Sequence, residues 1–421
     1  MKKKIVVANR RYFKSYGPER YMLNIMSLLQ SDGFEAIPFT VKRKQNIPSE
    51  YEQYFVKPMY DENTVFFNES RTGIMQKIKI FSNCVYSFEA KKQMESLIKN
   101  KNVDLVYLLG IANDISPSVI SACKKAGIPV IMRLSDFNLI CGNYHFLREN
   151  KLCDSCVKEG NIQCIKHKCV KNKFLPSFTR TFAMTIHNLI KIYDYVDAFI
   201  CPCSFMKKSM IDAGYPEEKL YQINTFVDPD EYKPSYENDG YILYFSRLSH
   251  EKGVEYLLKA KKLIKSKMPI YLVGDSNDPV YFQSLKDYIN SENLKDIHFI
   301  GFKAGDELKD YIRRSKFVVI PSICPDNSPI TGLEAMACGK PVIGSDIGGI
   351  TDQITEDTGY LVKPADPADL AKKIEILWND DQKIIQMGKN ARLRIEQHFS
   401  PSQHFEKLNN IFINCINKSD K

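Results

Sequence analysis

Long apolar runs, internal repeats and low-complexity tracts are all missing from this sequence. No stretch of about 18 or more residues is apolar and free of charge, which argues against a membrane-spanning helix. The basic start Met1-Lys2-Lys3-Lys4 leads into only four apolar residues, Ile5–Ala8, before Asn9-Arg10-Arg11. That is too short for the hydrophobic part of a secretory leader, so the segment reads as a buried first strand and the chain as cytoplasmic. A large excess of charge is lacking too. A net +9 over 421 residues suits an anionic substrate or membrane surface, and with no recognised binding module it predicts no nucleic-acid partner.

Cysteine, by contrast, is plentiful. Twelve are present, four of them between Cys153 and Cys169. Without a leader, such crowding points to a metal before disulfides.

A chain of 421 residues with 44% hydrophobic and 26% charged residues predicts two or three globular domains. Short apolar runs at Lys4–Ala8, Ala36–Phe39, Leu105–Leu109, Pro129–Arg133 and Ala198–Pro202 read as buried parallel strands. A second set lies at Tyr241–Phe245, Ile270–Val273, Ile297–Ile300, Phe317–Pro321 and Pro341–Ser345. Helical spacing separates them, as in Tyr21–Leu29, Val254–Ile264 and Leu370–Trp378. The expected fold is α/β, with two Rossmann-like doubly wound domains facing across a cleft. The boundaries are 1–225 for an acceptor-binding domain, 240–395 for a donor-binding domain, and 396–421 for a terminal helix packing back on the first. The linker between them carries Pro229 and Pro234 and few aliphatic residues.

The segment Pro321-Ser-Ile-Cys-Pro-Asp326-Asn-Ser-Pro-Ile-Thr-Gly-Leu-Glu334 reads as strand, loop and helix. Ser328 is expected as the N-cap and Pro329 in the first turn, with Gly339 closing the helix. Free N–H groups at that helix start suit an anionic or polyhydroxyl ligand. Arg247 and Lys252 flank the end of the second domain's first strand, five residues apart. They suit a diphosphate, so no metal cofactor is expected for catalysis.

These residues resemble the family-4 glycosyltransferases of GT-B fold, closely from Tyr241 to about Ile374 and more loosely before. The family's E-x7-E motif stands here as Asp326-x7-Glu334, and Leu333–Ile343, Gly348-Gly349-Ile350 and Gly359–Val362 match further landmarks. The resemblance implies that Glu334 holds ribose hydroxyls, and that Asp326 with the backbone around Ser328, Pro329, Ile330 and Thr331 holds the sugar. It also implies that Gly301 and Phe302 contact the base, and that Arg247 and Lys252 bind the diphosphate. The implied reaction is retaining transfer from a nucleotide-sugar donor, UDP-sugar first, to a saccharide or lipid-linked acceptor in surface polysaccharide or glycolipid synthesis. An epimerase or phosphorylase on the same fold, or a donor-binding scaffold without turnover, are the alternatives.

In the first domain Ser15-Tyr16-Gly17-Pro18-Glu19-Arg20 resembles the family's Gly-Gly loop, with Pro18 in place of the second glycine, and Gly17 either meets a ligand or simply makes a tight turn. Ser135 replaces an expected histidine, leaving Asp136 as an acceptor-binding residue or weak base, with helix capping as its plainer role. Cys153, Cys156, Cys164 and Cys169, spaced C-x2-C-x7-C-x4-C, lie in an insertion at about 141–170 too polar to order itself by burial. A structural zinc is the first reading; an iron–sulfur cluster and free thiols are the others, with Cys141, His145 and His167 as substitute ligands. Finally, Lys166–Lys173 followed by Phe174–Phe182 suits peripheral contact with an anionic membrane, or else a solvated face beside a core helix.

Overall fold

The computed structural model describes residues 2–14, 17–59, 73–112 and 114–419. Ser15 and Tyr16 of the first turn lie outside the described residues.

Two six-stranded parallel sheets form the frame. The first contains β1 (Lys4–Asn9), β2 (Glu35–Phe39), β3 (Leu105–Gly110) and β4 (Val130–Arg133). The short antiparallel pair β5 (Leu147–Arg148) and β6 (Lys151–Leu152) interrupts it, and β7 (Ala198–Cys201) and β8 (Leu220–Gln222) complete it. Its order is β2-β1-β3-β4-β7-β8. The second contains β9 (Ile242–Phe245), β10 (Ile270–Val273), β11 (Ile297–Gly301), β12 (Phe317–Ile320), β13 (Val342–Ser345) and β14 (Gly359–Val362), in the order β11-β10-β9-β12-β13-β14.

Both sheets are covered on two faces, which is why their strands are unbroken apolar runs. Along β1, Val6 and Ala8 enter one core and Ile5 and Val7 the opposite one. Along β9, Ile242 and Tyr244 separate from Leu243 and Phe245 in the same way. Proline trims the expected runs: β4 and β13 begin just after Pro129 and Pro341, since proline has no N–H for the ladder.

Four strands escape the apolar-run argument. In β8, Tyr221 and Gln222 are exposed; β14 is half-buried at its centre; and β5 and β6 are two residues each. The first two are edge strands, half of whose surface faces solvent, so their sequence carries little hydrophobic signal.

The helix Pro401–Ser419 follows the second sheet in sequence yet lies against the first. Its Phe405, Leu408, Phe412 and Ile416 share a core with Ile5, Val7, Tyr107 and Ile131. His404 fixes its start, bonding the Tyr21 hydroxyl at 2.8 Å and the Asn224 carbonyl at 2.7 Å. In the linker, Asp228 accepts from the Asp230 N–H at 3.0 Å, an ordinary turn for a D-x-D sequence.

Candidate active site

The second sheet reverses direction between β9 and β12. From β9 the chain runs outward through β10 and β11, then returns to build β12, β13 and β14 on the other side. The crevice beyond the carboxyl ends of strands at such a reversal is where open α/β sheets take ligands. A narrow pocket opens there, lined by Ser246, Lys252, Ile320, Ser322, Asp326 and Thr331.

Two glycines let its walls close. Gly253, at φ +71°, ends the turn His250–Lys252, and a Cβ there would lie 1.8 Å from the Pro321 carbonyl oxygen. Gly348, at φ +62°, would put a Cβ 2.6 Å from the Asp326 carbonyl oxygen. Only glycine permits both the positive φ and the close approach. The Gly349 N–H then donates to that same carbonyl at 2.5 Å, pinning the Asp326 loop.

Asp326 is held from two sides. Lys252 pairs with its Oδ1, and the Ser322 hydroxyl donates to Oδ2 at 2.7 Å. Burial alone would depress the Lys252 pKa, but Asp326 outweighs it and the net shift is upward, so Lys252 stays charged. Arg247 pairs with Glu251 at 3.1 Å and remains 46% exposed. Its partner Glu251 is 18% exposed and also accepts from the Ser249 hydroxyl at 2.7 Å, so of this pair it is the guanidinium that faces outward, open to an incoming anion.

Glu334 sits inside the helix Ile330–Ala337 and is 4% exposed. Its Oε1 accepts from Arg20 at 2.7 Å and from the Tyr232 hydroxyl at 2.7 Å. Burial lowers the Arg20 pKa and Glu334 raises it by more, the net shift being upward. Burial and then Glu334 push the Tyr232 hydroxyl up. The helix itself starts one residue later than expected. Pro329 is its extended flanking residue and Ser328 does not cap it. Instead the Gln353 amide donates to the Ser328 hydroxyl and the Pro329 carbonyl, each at 3.1 Å. Gln353 reaches this turn because Gly332 leaves room: a Cβ there would meet its Oε1 at 2.4 Å. Ile330 and Thr331 line the crevice, while Gly339 (φ +71°) follows the helix end as expected. Gly301 (φ +79°) ends β11, and Phe302 beside it is 65% exposed.

The first domain closes over this crevice. Gly17 opens the helix Gly17–Ser31, and a Cβ on it would lie 3.5 Å from Ile330. The first turns of these two helices therefore lie close together, and each favours negative charge near it. Asn327 donates to the Leu134 carbonyl at 3.3 Å. Asp352 accepts from the Ser204 N–H at 2.7 Å, and from Gln222 and Asn224. Asp136 accepts from the Asn138 N–H at 3.0 Å in a local turn. Ser135 bonds the Leu109 carbonyl and Arg133.

In the insertion, Cys164 and Cys169 share a hydrogen bond that lowers the Cys164 thiol to about 6 and raises Cys169. Cys156 feels Cys164 and Cys153, and Cys169 feels Cys156 and Cys141. The expected set of Cys153, Cys156, Cys164 and Cys169 is not drawn into one cage: among the described residues no three Cys, His, Asp or Glu side chains are grouped to hold a metal ion. Cys153 turns to Ser155, and Cys141 to the Asn143 side chain. The tip of the insertion reaches the second domain, where Asn150 bonds His250.

Residues 230–394 match the family of glycosyl transferases group 1. The second domain is a group 1 glycosyl transferase domain. An uncharacterized glycosyltransferase of Methanocaldococcus jannaschii is 27% identical over 197 residues, 47% of this chain and 54% of that protein. The chain thus spans about half the length of this relative. The amylovoran biosynthesis glycosyltransferase of Erwinia amylovora is 24% identical over 69% of this chain and 72% of its own. Among solved structures, Anabaena HepE in complex with UDP superimposes with a TM-score of 0.66 at 18% identity, covering 98% of this chain and 100% of that one. The fold is GT-B: two facing α/β domains.

Four contacts around this crevice carry no role assigned from sequence: Arg20, Tyr232, Ser322 and Asp352. Arg20 stands in the first domain's opening helix and Tyr232 in a stretch with linker composition. The only trace in sequence is their position, one just after the Gly17 turn and the other just after Asp228-Pro229.

Proposed function

We propose that this chain is a retaining glycosyltransferase that moves a sugar from a UDP-sugar to a saccharide or lipid-linked acceptor. The observation that carries the reading is the pairing of Lys252 with Asp326 in the crevice at the reversal of the second sheet, with Arg247 on the loop that leads to Lys252 and Glu334 on the helix that follows Asp326. Glu334 would take the ribose hydroxyls, and Asp326 and the start of the helix Ile330–Ala337 the sugar. As the bond from the sugar's C1 to the diphosphate oxygen breaks, negative charge grows on the diphosphate. Arg247, released from Glu251, and Lys252 offset that charge. The acceptor oxygen bonds to C1 on the same face and gives its proton to the departing phosphate oxygen. Asp136, partly exposed at the end of β4, is proposed to bind an acceptor hydroxyl. Retention and the choice of UDP rest on the family resemblance.

Two structural roles accompany this reading. The thiol–thiolate pair Cys164/Cys169, with Cys156 and Cys141 nearby, has the donor chemistry of a zinc site; a zinc would fix the insertion whose tip meets His250. On the helix Phe174–Leu189, the rings of Phe174, Phe178 and Phe182 stack in sequence and are all exposed. Lys166, Lys168, Lys171 and Lys173 precede them. Such a face suits an anionic lipid surface. Among the described residues no helix is long and apolar enough to cross a membrane.

The deciding experiment is binding of UDP-, GDP-, ADP- and TDP-sugars to the native protein and to Glu334→Ala. One nucleotide should bind, and the variant should lose it. A folded native protein that binds none of the four sinks the reading.

A further inference from the structure

Glu334 is buried in the second domain, yet the cation that neutralises it comes from the first. Arg20 belongs to the helix Gly17–Ser31, outside the stretch matched by the group 1 family. Its Nη2 lies 2.7 Å from Glu334 Oε1 and 3.4 Å from the Tyr232 hydroxyl, which itself donates to the same oxygen at 2.7 Å. Both donors therefore fall on Oε1, and among the described residues none reaches Oε2.

A carboxylate can accept on both oxygens, with about four lone-pair sites in all. Loading Oε1 with a guanidinium and a phenol fixes the plane of the group. Oε2 is left to receive a pair of vicinal hydroxyls. The environment explains why the arrangement is needed. At 4% exposure the carboxylate has little water around it, and an oxygen left there without a donor would carry its full desolvation cost. Arg20 itself keeps 33% side-chain exposure, so its own desolvation is partial.

We infer that Arg20 is a positioning residue for the nucleotide's ribose, acting through Glu334, with Tyr232 as its second arm. The inference rests on the donor-site reading above and adds a link between domains. The oriented carboxylate exists only while the first domain is closed against the second, so ribose recognition and domain closure share one contact. A competing role follows from the same distances: Arg20 could occupy the place of the ribose and have to leave before a nucleotide enters.

The test compares UDP with 2′,3′-dideoxy-UDP by calorimetry on the full-length protein, on Arg20→Ala, Arg20→Lys and Tyr232→Phe, with Glu334→Ala as reference. A hydrogen bond to a charged group is worth about 1.5–3 kcal/mol, so the native protein should prefer UDP by about tenfold or more. Arg20→Ala should weaken UDP by about tenfold and leave dideoxy-UDP nearly unchanged, so that the preference shrinks toward unity; Tyr232→Phe should do the same by about threefold. A general loss of structure would weaken both ligands alike, and Arg20→Lys, which keeps the charge, should recover part of the preference. Unchanged or tighter UDP binding in Arg20→Ala, with binding still lost in Glu334→Ala, overturns the positioning role alone. If Glu334→Ala also binds UDP as the native protein does, the donor-site reading fails, and the role of Arg20 with it.

Discussion

Arg20 and Glu334 stand 314 positions apart in the chain and 2.7 Å apart in the fold. One opens the first domain's leading helix; the other lies within the helix that follows β12. The contact joins a residue given a role from sequence to one in the Gly17 segment that was given none. Around it, Asp352 meets the start of the helix Ser204–Asp212, and Asn327 meets Leu134. The crevice is thus bounded by polar contacts from both domains, which an incoming ligand can exchange one at a time.

Lys252 and Asp326 form the most enclosed ion pair of the crevice, with 17% and 14% side-chain exposure. Removing one partner leaves the other charge buried without compensation, at a cost of about 3 kcal/mol, the low end for buried pairs. Lys252→Met should therefore lower the denaturation midpoint clearly. The double variant Lys252→Met/Asp326→Leu should recover much of that loss while remaining inactive, since neither diphosphate nor sugar would keep its partner. A double variant as unstable as the single one would show that the pair's charge is not what the site balances. Donor turnover measured on the same samples separates stability from chemistry.

Much of this frame was legible in the sequence. The central strands of both sheets read correctly because they are covered on both faces and must be apolar throughout. At the edges the outcome divided: β2 and β11 kept apolar runs and were read, while β8, with Tyr221 and Gln222 exposed, and the half-buried β14 were not. Gly253 and Gly348 stand where a Cβ would strike backbone oxygen, so the spacing around Lys252 and Asp326 is a record of close packing. The cap at Ser328 was misread because a tertiary donor, Gln353, took the hydroxyl that a local rule assigns to the helix. Arg20 and Tyr232 were missed for a related reason: motif spacing describes one domain, and this contact is made between two.

The cysteine insertion makes a chemical prediction. Its short helices Ser155–Glu159 and Ile162–Lys166 bury little, with Cys164 the one buried residue of the pair, and this is the argument for a crosslinking ion proposed above. Elemental analysis of protein purified without added metal should find about one zinc per chain. Cys156→Ser and Cys169→Ser should each lower the content and expose the insertion to proteolysis near Glu149-Asn150. Stoichiometric iron would point instead to a cluster. Neither metal, with thiols that titrate freely, would leave the insertion ordered by its hydrogen bonds alone.

The aromatic face of the helix Phe174–Leu189 predicts vesicle binding. Phe174 is 58% exposed and Leu175 61%, an arrangement that costs solubility unless something covers it. Native protein should co-sediment with phosphatidylglycerol vesicles, weakly with phosphatidylcholine, and less in high salt as the lysine contribution is screened. Phe174→Ser/Phe178→Ser should reduce sedimentation several-fold without changing UDP affinity, because the face is remote from Glu334 in the chain and in the core. Equal binding to neutral and anionic vesicles would remove the lysines from the argument.

His404 ties the terminal helix to the first domain and predicts how stability responds to acid. Burial, chiefly, depresses its pKa to about 3, with the Asn224 carbonyl opposing and the charges of Arg133 and Lys407 adding to the depression. In the unfolded chain the ring titrates near about 6.5. Between those values the unfolded state holds a proton that the native state refuses, so stability falls as pH drops below about 6.5 and the loss stops growing near the folded value. From pH 7 to pH 5 the expected loss from this one ring is about 2 kcal/mol. His145 and His187, also depressed by burial, act in the same direction. Replacing His404 with glutamine, which can still meet the Tyr21 hydroxyl, should flatten the slope between pH 7 and pH 5 whatever it does to stability at pH 7. Urea unfolding at the two pH values, read for both proteins, checks this directly. Equal slopes would mean that His404 accepts its proton in the native state, and that the helix Pro401–Ser419 loosens from the first domain before the fold is lost.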